Sequence, residues 1–538
     1  ACRMQHLQQT LDDAALSASR ICERLERSAN GPRVPRVTRG LVEPASIDAQ
    51  KPTPNRRRQW IDLAHDVTLG DAELAVREGF VSVEHFKRYT TTGMSVDQGK
   101  TGNLNAFMVL GALTGRATGE VGTTTFRPPY VPVTLGAIAG IRKGEFYAPR
   151  RLLPAHLVHQ KLGGLFEDYG WQRPDAYPRP GESLQEAVRR EVLTVRSTVG
   201  VFDNSPIGKL EVRGPDAARF LDRVYINNVS GLPVGRARYG LMLNENGVII
   251  DDGVFIRLAE DHYLLNTTSG GAGRIAAMLE EWLQCEWPDL RVLVDDLTEQ
   301  SCCYTIAGPR ARDVVHALGT ELDLSADALP HMAAASGVIA GMPARLVRVS
   351  FSGELSYEIS VRASQASALL EAILAAGEQF GIEPYGIESL MVLRAEKGFL
   401  HVGTDTDGSS TPDDVGWGEV ARRKAIDFIG KRSLERPANR DTDRKQFVGL
   451  EPLDRSQQIR PGGHLLIGAD RRPPGLTDGW VTSACHSPTL DRPIALGMLR
   501  GGRSRLGEVV TVCDEQREFN VKVVSPVFYD PTNARLEL

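Results

Sequence analysis

The chain has 538 residues, is 41% hydrophobic and 24% charged, and carries a formal net charge of -5. That length exceeds a single core and predicts about three or four domains, while the charge gives no reason to expect nucleic acid. No apolar run reaches the roughly 18 residues of a membrane span, and the opening Ala1-Cys-Arg-Met-Gln-His6 holds neither a hydrophobic signal region nor an initiator methionine, so a longer precursor is expected.

In chain order, residues 1–55 read as a helix and an extended linker. Leu7, Leu11, Ala15, Ile21 and Leu25 recur near helical spacing over 5–27, and 28–58 is rich in Pro and Arg. Residues 56–110 read as a small helical domain. Thr68 is placed to cap a helix running to Gly79 and Ser82 to cap a second, with Val83 and Phe86 inward. The segment Gly93-Met-Ser-Val-Asp-Gln-Gly-Lys-Thr101 departs from a nucleotide-phosphate loop, because five residues separate its glycines and a helix precedes it. Two readings stand for Arg88, Thr91, Thr92, Lys100 and Thr101: a surface facing an anionic group, or a polar loop at a domain edge.

Residues 111–185 are expected to be a loop-rich connection packed against other chains. From 186 to 445 the pattern becomes α/β with an internal echo. Leu210-Glu-Val-Arg-Gly-Pro215 and Tyr304-Thr-Ile-Ala-Gly-Pro309 both read as strand, Gly-Pro, helix, with each proline in the first helical turn. Ser364 to Phe380 predicts a helix with Ala368, Leu369, Ile373 and Leu374 on one face. Residues 446–538 alternate in short strands and predict a small β-barrel. The fold class is therefore α+β and multidomain. Seven cysteines form no CxxC and no disulfide ladder, which fits a reducing cytoplasm, and 11 scattered histidines predict no metal site.

The most informative stretch is Leu243-Asn-Glu-Asn-Gly-Val-Ile-Ile-Asp-Asp-Gly-Val254. Asn-Glu-Asn-Gly reads as a turn and Val248 to Ile250 as a buried strand continued at Val254 to Arg257. Asp251 and Asp252 interrupt it. They are either a wide turn or a half-buried carboxylate that handles a proton or a cation.

Five segments, in order, resemble the glycine-cleavage T-protein (aminomethyltransferase) family: Gly235-Arg-Ala-Arg-Tyr239 through Asp252, Ser352-Gly-Glu-Leu-Ser-Tyr-Glu358, Arg394-Ala-Glu-Lys-Gly398, Asp427-Phe-Ile-Gly-Lys431 and Thr482-Ser-Ala-Cys-His-Ser-Pro-Thr-Leu490. The resemblance implies a three-domain clover-leaf with tetrahydrofolate in its centre. It makes Asp252 the catalytic aspartate, Tyr239 and Asn266 folate-site residues, and Glu358 the pterin anchor. A pterin edge presents adjacent N–H donors that one carboxylate accepts as a pair. Two departures stand out: Leu390, in Gly386-Ile-Glu-Ser-Leu-Met391, occupies the place of a family Arg, and Asp203-Asn-Ser-Pro206 replaces Asp-Val-Ser-His.

Asp66 through Met94, Asp97-Gln-Gly-Lys-Thr101 and Pro526-Val-Phe-Tyr-Asp530 resemble the α subunits of heterotetrameric sarcosine oxidases. That likeness makes 56–110 a ferredoxin-like domain without a cluster, since it holds no Cys. It implies a flavoprotein β subunit and smaller subunits as partners, FMN or FAD at or beyond their interface, and an N-methyl amine oxidised on the partner. It also makes Arg88, Thr91, Thr92, Lys100 and Thr101 candidates for a flavin-phosphate surface. The likeness also implies a dinucleotide-binding region before this part; no GxGxxG follows a strand here, so the chain reads either as the C-terminal half of such a subunit, with NAD on the preceding region, or as a separately made equivalent. The alternatives are a stand-alone aminomethyltransferase, a folate-binding regulatory protein, or a scaffold subunit with a vestigial folate site.

Overall fold

Two units divide the chain, Ala1–Pro149 and Arg150–Leu538. The computed structural model describes residues 7–25, 59–128, 133–142, 144, 150–466, 477–515 and 517–538; most of the expected linker lies outside these.

In the first unit Leu7–Arg24 is helical. Its Leu16, Ile21 and Leu25 are exposed. The short strands Trp60–Asp62 and Val67–Thr68 pair antiparallel. Thr68 then caps the helix Leu69–Arg77 through a reciprocal capping box with Asp71. Ser82 does stand at the N-cap of Val83–Thr90, but its hydroxyl makes no capping bond. A fourth helix, Asn103–Thr114, brings Leu110 onto the core of Ala72, Ala75 and Phe86.

The loop-rich expectation for 111–185 needs correction. Helices Leu135–Ala139 and His156–Lys161 lie here, with a three-stranded sheet of Arg151–Leu152, Trp171–Ala176 and Leu165–Asp168. Proline disguised the central strand. Pro174 pairs with Phe166 where the register shifts, a bulge that tolerates the missing N–H.

Two larger sheets follow. One has five strands in the order Leu293–Asp296, Gly208–Arg213, His262–Thr267, Ile249–Ala259, Ala237–Leu243. The other has six, in the order Ala333–Ile339, Met342–Arg348, Ser356–Arg362, Ser301–Ala307, Val199–Asp203, Ile382–Pro384. They meet face to face. Ala237, Ile256 and Leu264 of the first pack on Val347 and Val349 of the second.

The internal echo is real in backbone terms. Gly214 and Gly308 have φ of 139° and 133°, and a Cβ on either would meet a carbonyl oxygen at 2.1 Å or 2.5 Å. Only glycine lets the chain cross so closely before each helix. The prolines lie earlier than expected, since the helices begin at Ala217 and Ala311. Each proline sits in the turn closed by Ala217 N–H to Gly214 O or Ala311 N–H to Gly308 O. The helix Ala366–Gly377 buries Ala366, Leu369, Leu370 and Ile373; Ala368 is exposed, one position off the predicted face. Residues 445–524 close a six-stranded barrel, as expected for the C-terminal region.

Candidate functional site

The strand Ile249–Ala259 runs through both acids without a turn. Gly253 makes this feasible, because a Cβ there would meet the Asn266 carbonyl oxygen at 2.0 Å. Strand alternation then sends Asp251 and Asp252 to opposite faces.

Asp251 goes inward and does structural work. It is fully buried, accepts the Thr268 and Asp252 amides at 2.9 Å, and accepts the Thr268 hydroxyl at 3.0 Å. Arg274 reaches it at 3.4 Å. Asp251→Ala is expected to cost about 2–4 kcal/mol, because it strands two amides and a hydroxyl without an acceptor. Urea unfolding tests this, and a loss below about 1 kcal/mol contradicts it.

Asp252 shares its face with Val254 and Ile256, toward the six-stranded sheet. The Tyr239 hydroxyl donates to its Oδ2 at 2.8 Å, a diagonal cross-strand pair. Tyr239 in turn stacks at a tilt on Trp417, centroids 4.9 Å apart. Burial pushes the Asp252 carboxyl up to about 7, against the Tyr239 hydrogen bond, with the Asp251 charge adding to the rise. A carboxyl so poised both accepts and returns a proton near neutrality. Burial raises the Tyr239 hydroxyl well above its ordinary value, so it stays protonated as a donor.

Asn266 lies on the same face, two residues beyond the packed Leu264. It is buried, and its side-chain amide donates to the Gly208 carbonyl at 3.2 Å. Glu358 lies on the facing sheet, opposite Val347 and Thr305. Its Oε1 accepts the Asn204 amide at 3.0 Å. Protein atoms crowd this half-buried carboxyl and push it up to about 7, opposed by the Asn204 hydrogen bond and the Lys209 charge. Asp252, Tyr239 and Asn266 thus occupy one wall of the space between the sheets and Glu358 the other.

Sequence reasoning misses three neighbours of this site. Asn204 stands in the Asp-Asn-Ser-Pro departure from the family, and that departure is the signal that could have found it. Trp417 and Tyr385 carry none. The Tyr385 ring packs on Phe202 at 5.4 Å, and its buried hydroxyl has no partner among the described residues. Leu390, in the place of the family Arg, packs in an apolar cluster with Tyr385 and Phe202.

The first unit's candidates do not act together. Arg88, Thr91, Lys100 and Thr101 are exposed, whereas Thr92 is buried and its hydroxyl accepts from Thr90 at 2.8 Å. Thr101 donates its hydroxyl and amide to Asp97 at 2.7 and 3.1 Å. These bonds hold the Asp97 carboxylate well below the usual range. The Thr92 and Thr101 groups therefore tie the loop together, a correction to the expected anion-facing set. Among the described residues no cluster of His, Cys, Asp or Glu suits a metal ion, and no helix is long and apolar enough to cross a membrane.

These features define an aminomethyltransferase-like architecture, and comparison with known proteins agrees. Residues 155–424 match the GCVT N-terminal domain, and 445–530 the glycine cleavage T-protein C-terminal barrel domain. The chain belongs to the aminomethyltransferase family: it is 32% identical over 388 residues to an aminomethyltransferase of Symbiobacterium thermophilum, covering 98% of that protein and 71% of this one. The crystal structure of glycine cleavage system aminomethyltransferase T from Bartonella henselae superposes with a TM-score of 0.61 at 28% identity, covering 98% of that chain and 70% of this one.

More particularly, residues 56–141 match the sarcosine oxidase A3 domain. The chain is a homologue of sarcosine oxidase α subunits. It is 45% identical to that of a Corynebacterium species over 481 residues, 88% of this chain. It is 42% identical to that of Rhizobium meliloti over 487 residues, 89% of this chain. It spans about half the length of these relatives, 50% and 49%.

Proposed function

We propose that this chain is the folate-binding part of a sarcosine-oxidase-type α subunit, which captures the one-carbon unit released when a partner flavoprotein oxidises an N-methyl amine. Capture yields 5,10-methylenetetrahydrofolate. The supporting observation is the facing pair of raised carboxyls, Asp252 and Glu358, within an aminomethyltransferase fold. The homology to sarcosine oxidase α subunits supports the assembly with a β subunit and smaller subunits, and with FMN or FAD near the interface. Six described cysteines are free thiols, which agrees with a reducing cytoplasm.

The residues present fit the proposed ligand. Glu358 has one protein donor, on Oε1, and desolvation by the surrounding protein raises its pKa. A pterin edge offers two adjacent N–H groups, which suit it. When bound, tetrahydrofolate supplies the two amine nitrogens that receive the one-carbon unit. The protein does the rest. Glu358 orients the ring system, Asn204 fixes Glu358, and the packed sheets limit water. Asp252 holds or releases a proton at its carboxyl while the Tyr239 hydroxyl keeps that carboxyl in place.

The pH dependence follows from Glu358. N–H donors favour the ionised carboxylate, so binding lowers its pKa from about 7. Affinity for tetrahydrofolate is therefore greatest above pH 7 and falls by up to about tenfold per pH unit below it. Glu358→Gln is expected to flatten that profile between pH 6 and 8. A wild-type profile that is already flat contradicts the role of Glu358.

In the first unit the flavin-phosphate proposal narrows to the exposed Arg88, Thr91 and Lys100. Lys100→Glu is expected to lower the flavin content of the assembled complex, read from its visible absorbance. Unchanged flavin content would rule this surface out as a flavin contact.

Leu390 favours this reading over a stand-alone aminomethyltransferase, since an apolar side chain stands where that family's Arg would be. Turnover of an aminomethyl-lipoyl carrier without any flavoprotein would reverse that preference.

A further inference from the structure

One row outward from Glu358, the same gap between the sheets opens into a cleft of about 370 Å³. Its lining carries three cations, Lys209, Arg345 and Arg362, and no carboxylate. Across the six-stranded sheet, Ser336, Arg345 and Ser360 stand in register on three adjacent strands. That sets a guanidinium between two hydroxyls, a row of donors facing an open space.

The cations have little to neutralise them. Among the described residues none of the three makes an ion pair within 4 Å, although such pairs are frequent elsewhere on this chain. The Arg345 Nε is buried without an acceptor. Lys209 is buried, and two of its three N–H groups go to the Ser205 and Ile207 carbonyls at 2.7 and 2.9 Å. The carboxylate whose charge bears on Arg345 is Glu211, already engaged by Arg213 at 2.9 Å and His262 at 2.8 Å. Lys209 feels the Asp203 carboxylate, which is bonded to His159 at 2.8 Å, and Glu358. Glu358 lies one row inward and is held by Asn204. Uncompensated charge beside a buried, unpaired donor is costly unless a ligand completes it.

We propose that this cleft binds a small oxyanion with two or more charged oxygens, gripped by Arg345 and Arg362 between the Ser336 and Ser360 hydroxyls and supported by the charge of Lys209. Inorganic phosphate and a small dicarboxylate share that chemistry. The guanidinium forks suit paired oxygens of either. The site lies one row outward from Glu358, and Lys209, whose charge also bears on Glu358, is common to both places.

The test is calorimetric titration of the chain with inorganic phosphate and, separately, with glutarate, in an uncharged buffer at constant sodium chloride. Saturable binding of at least one below about 10 mM is expected. Binding of phosphate alone assigns a phosphoryl ligand, and binding of glutarate a carboxylate. Arg345→Gln and Arg362→Gln are each expected to weaken it by about tenfold or more. Arg423→Gln, exposed elsewhere, is expected to change nothing. Circular dichroism checks that the Arg345 variant folds; Arg362 is exposed, so its replacement leaves the fold intact and reads binding alone. No saturable binding of either probe, or unchanged affinity in Arg362→Gln, overturns the proposal.

Discussion

Asp252→Asn is expected to slow one-carbon capture by about a hundredfold or more while leaving tetrahydrofolate affinity within a few-fold. The substitution keeps the shape of the side chain and its hydrogen bond from Tyr239 Oη, which an amide oxygen also accepts. It removes the only function that needs a titrating group. At pH 7 the wild-type carboxyl sits near half-ionisation, so it takes up a proton and returns it without a large penalty in either direction. Asparagine does neither. The readout is how the released carbon divides between free formaldehyde and methylenetetrahydrofolate in the assembled complex. Partition that does not change in Asp252→Asn would favour a scaffold subunit whose folate site is vestigial.

Glu358→Ala is expected to weaken tetrahydrofolate binding by about a hundredfold. Two charge-assisted hydrogen bonds to one carboxylate disappear together, and the Asn204 amide loses its acceptor as well. Glu358→Gln should fall between the two, because one amide oxygen still accepts. Neither change should unfold the chain, since Glu358 does not belong to the ion pairs that join the elements. An alanine variant with near wild-type affinity would place the ligand elsewhere in the fold.

The sequence is most legible where side-chain type and backbone demand coincide. Gly214 and Gly308 each precede a helix, and the structure repeats the same close crossing at both. The Asn-Glu-Asn-Gly turn also appears, closed by Asn244 N–H to Val248 O at 2.9 Å with Gly247 at φ 80°. The Asp-Asp-Gly stretch is ambiguous for a physical reason. Acids and glycine usually mark a turn, but here tertiary contacts hold all three in a strand. Asp251 finds three donors, and Gly253 admits the neighbouring strand.

Several segments that carry the family likeness prove to be joints between elements. Arg196 binds Glu354 at 3.0 Å and Glu396 at 2.7 Å, all three buried. Arg394 pairs with Asp405 at 2.6 Å and donates to Ser483. Lys397 pairs with Asp530 of the C-terminal segment at 2.9 Å. Removing one partner of such a buried pair leaves the other charge uncompensated. Their partners are far apart in the chain, so spacing alone could not reveal them. The same holds for Asn204 and Trp417, which reach the site only through sheet packing.

The functional reading stands on one point, that the space between the two sheets binds tetrahydrofolate through Glu358. The decisive experiment is calorimetric titration of the 538-residue chain with tetrahydrofolate at pH 7, repeated in buffers of different ionisation enthalpy. Single-site binding with net proton release as Glu358 ionises is expected, together with loss of that release in Glu358→Gln. Absence of binding, or binding whose proton release persists in Glu358→Gln, would contradict it.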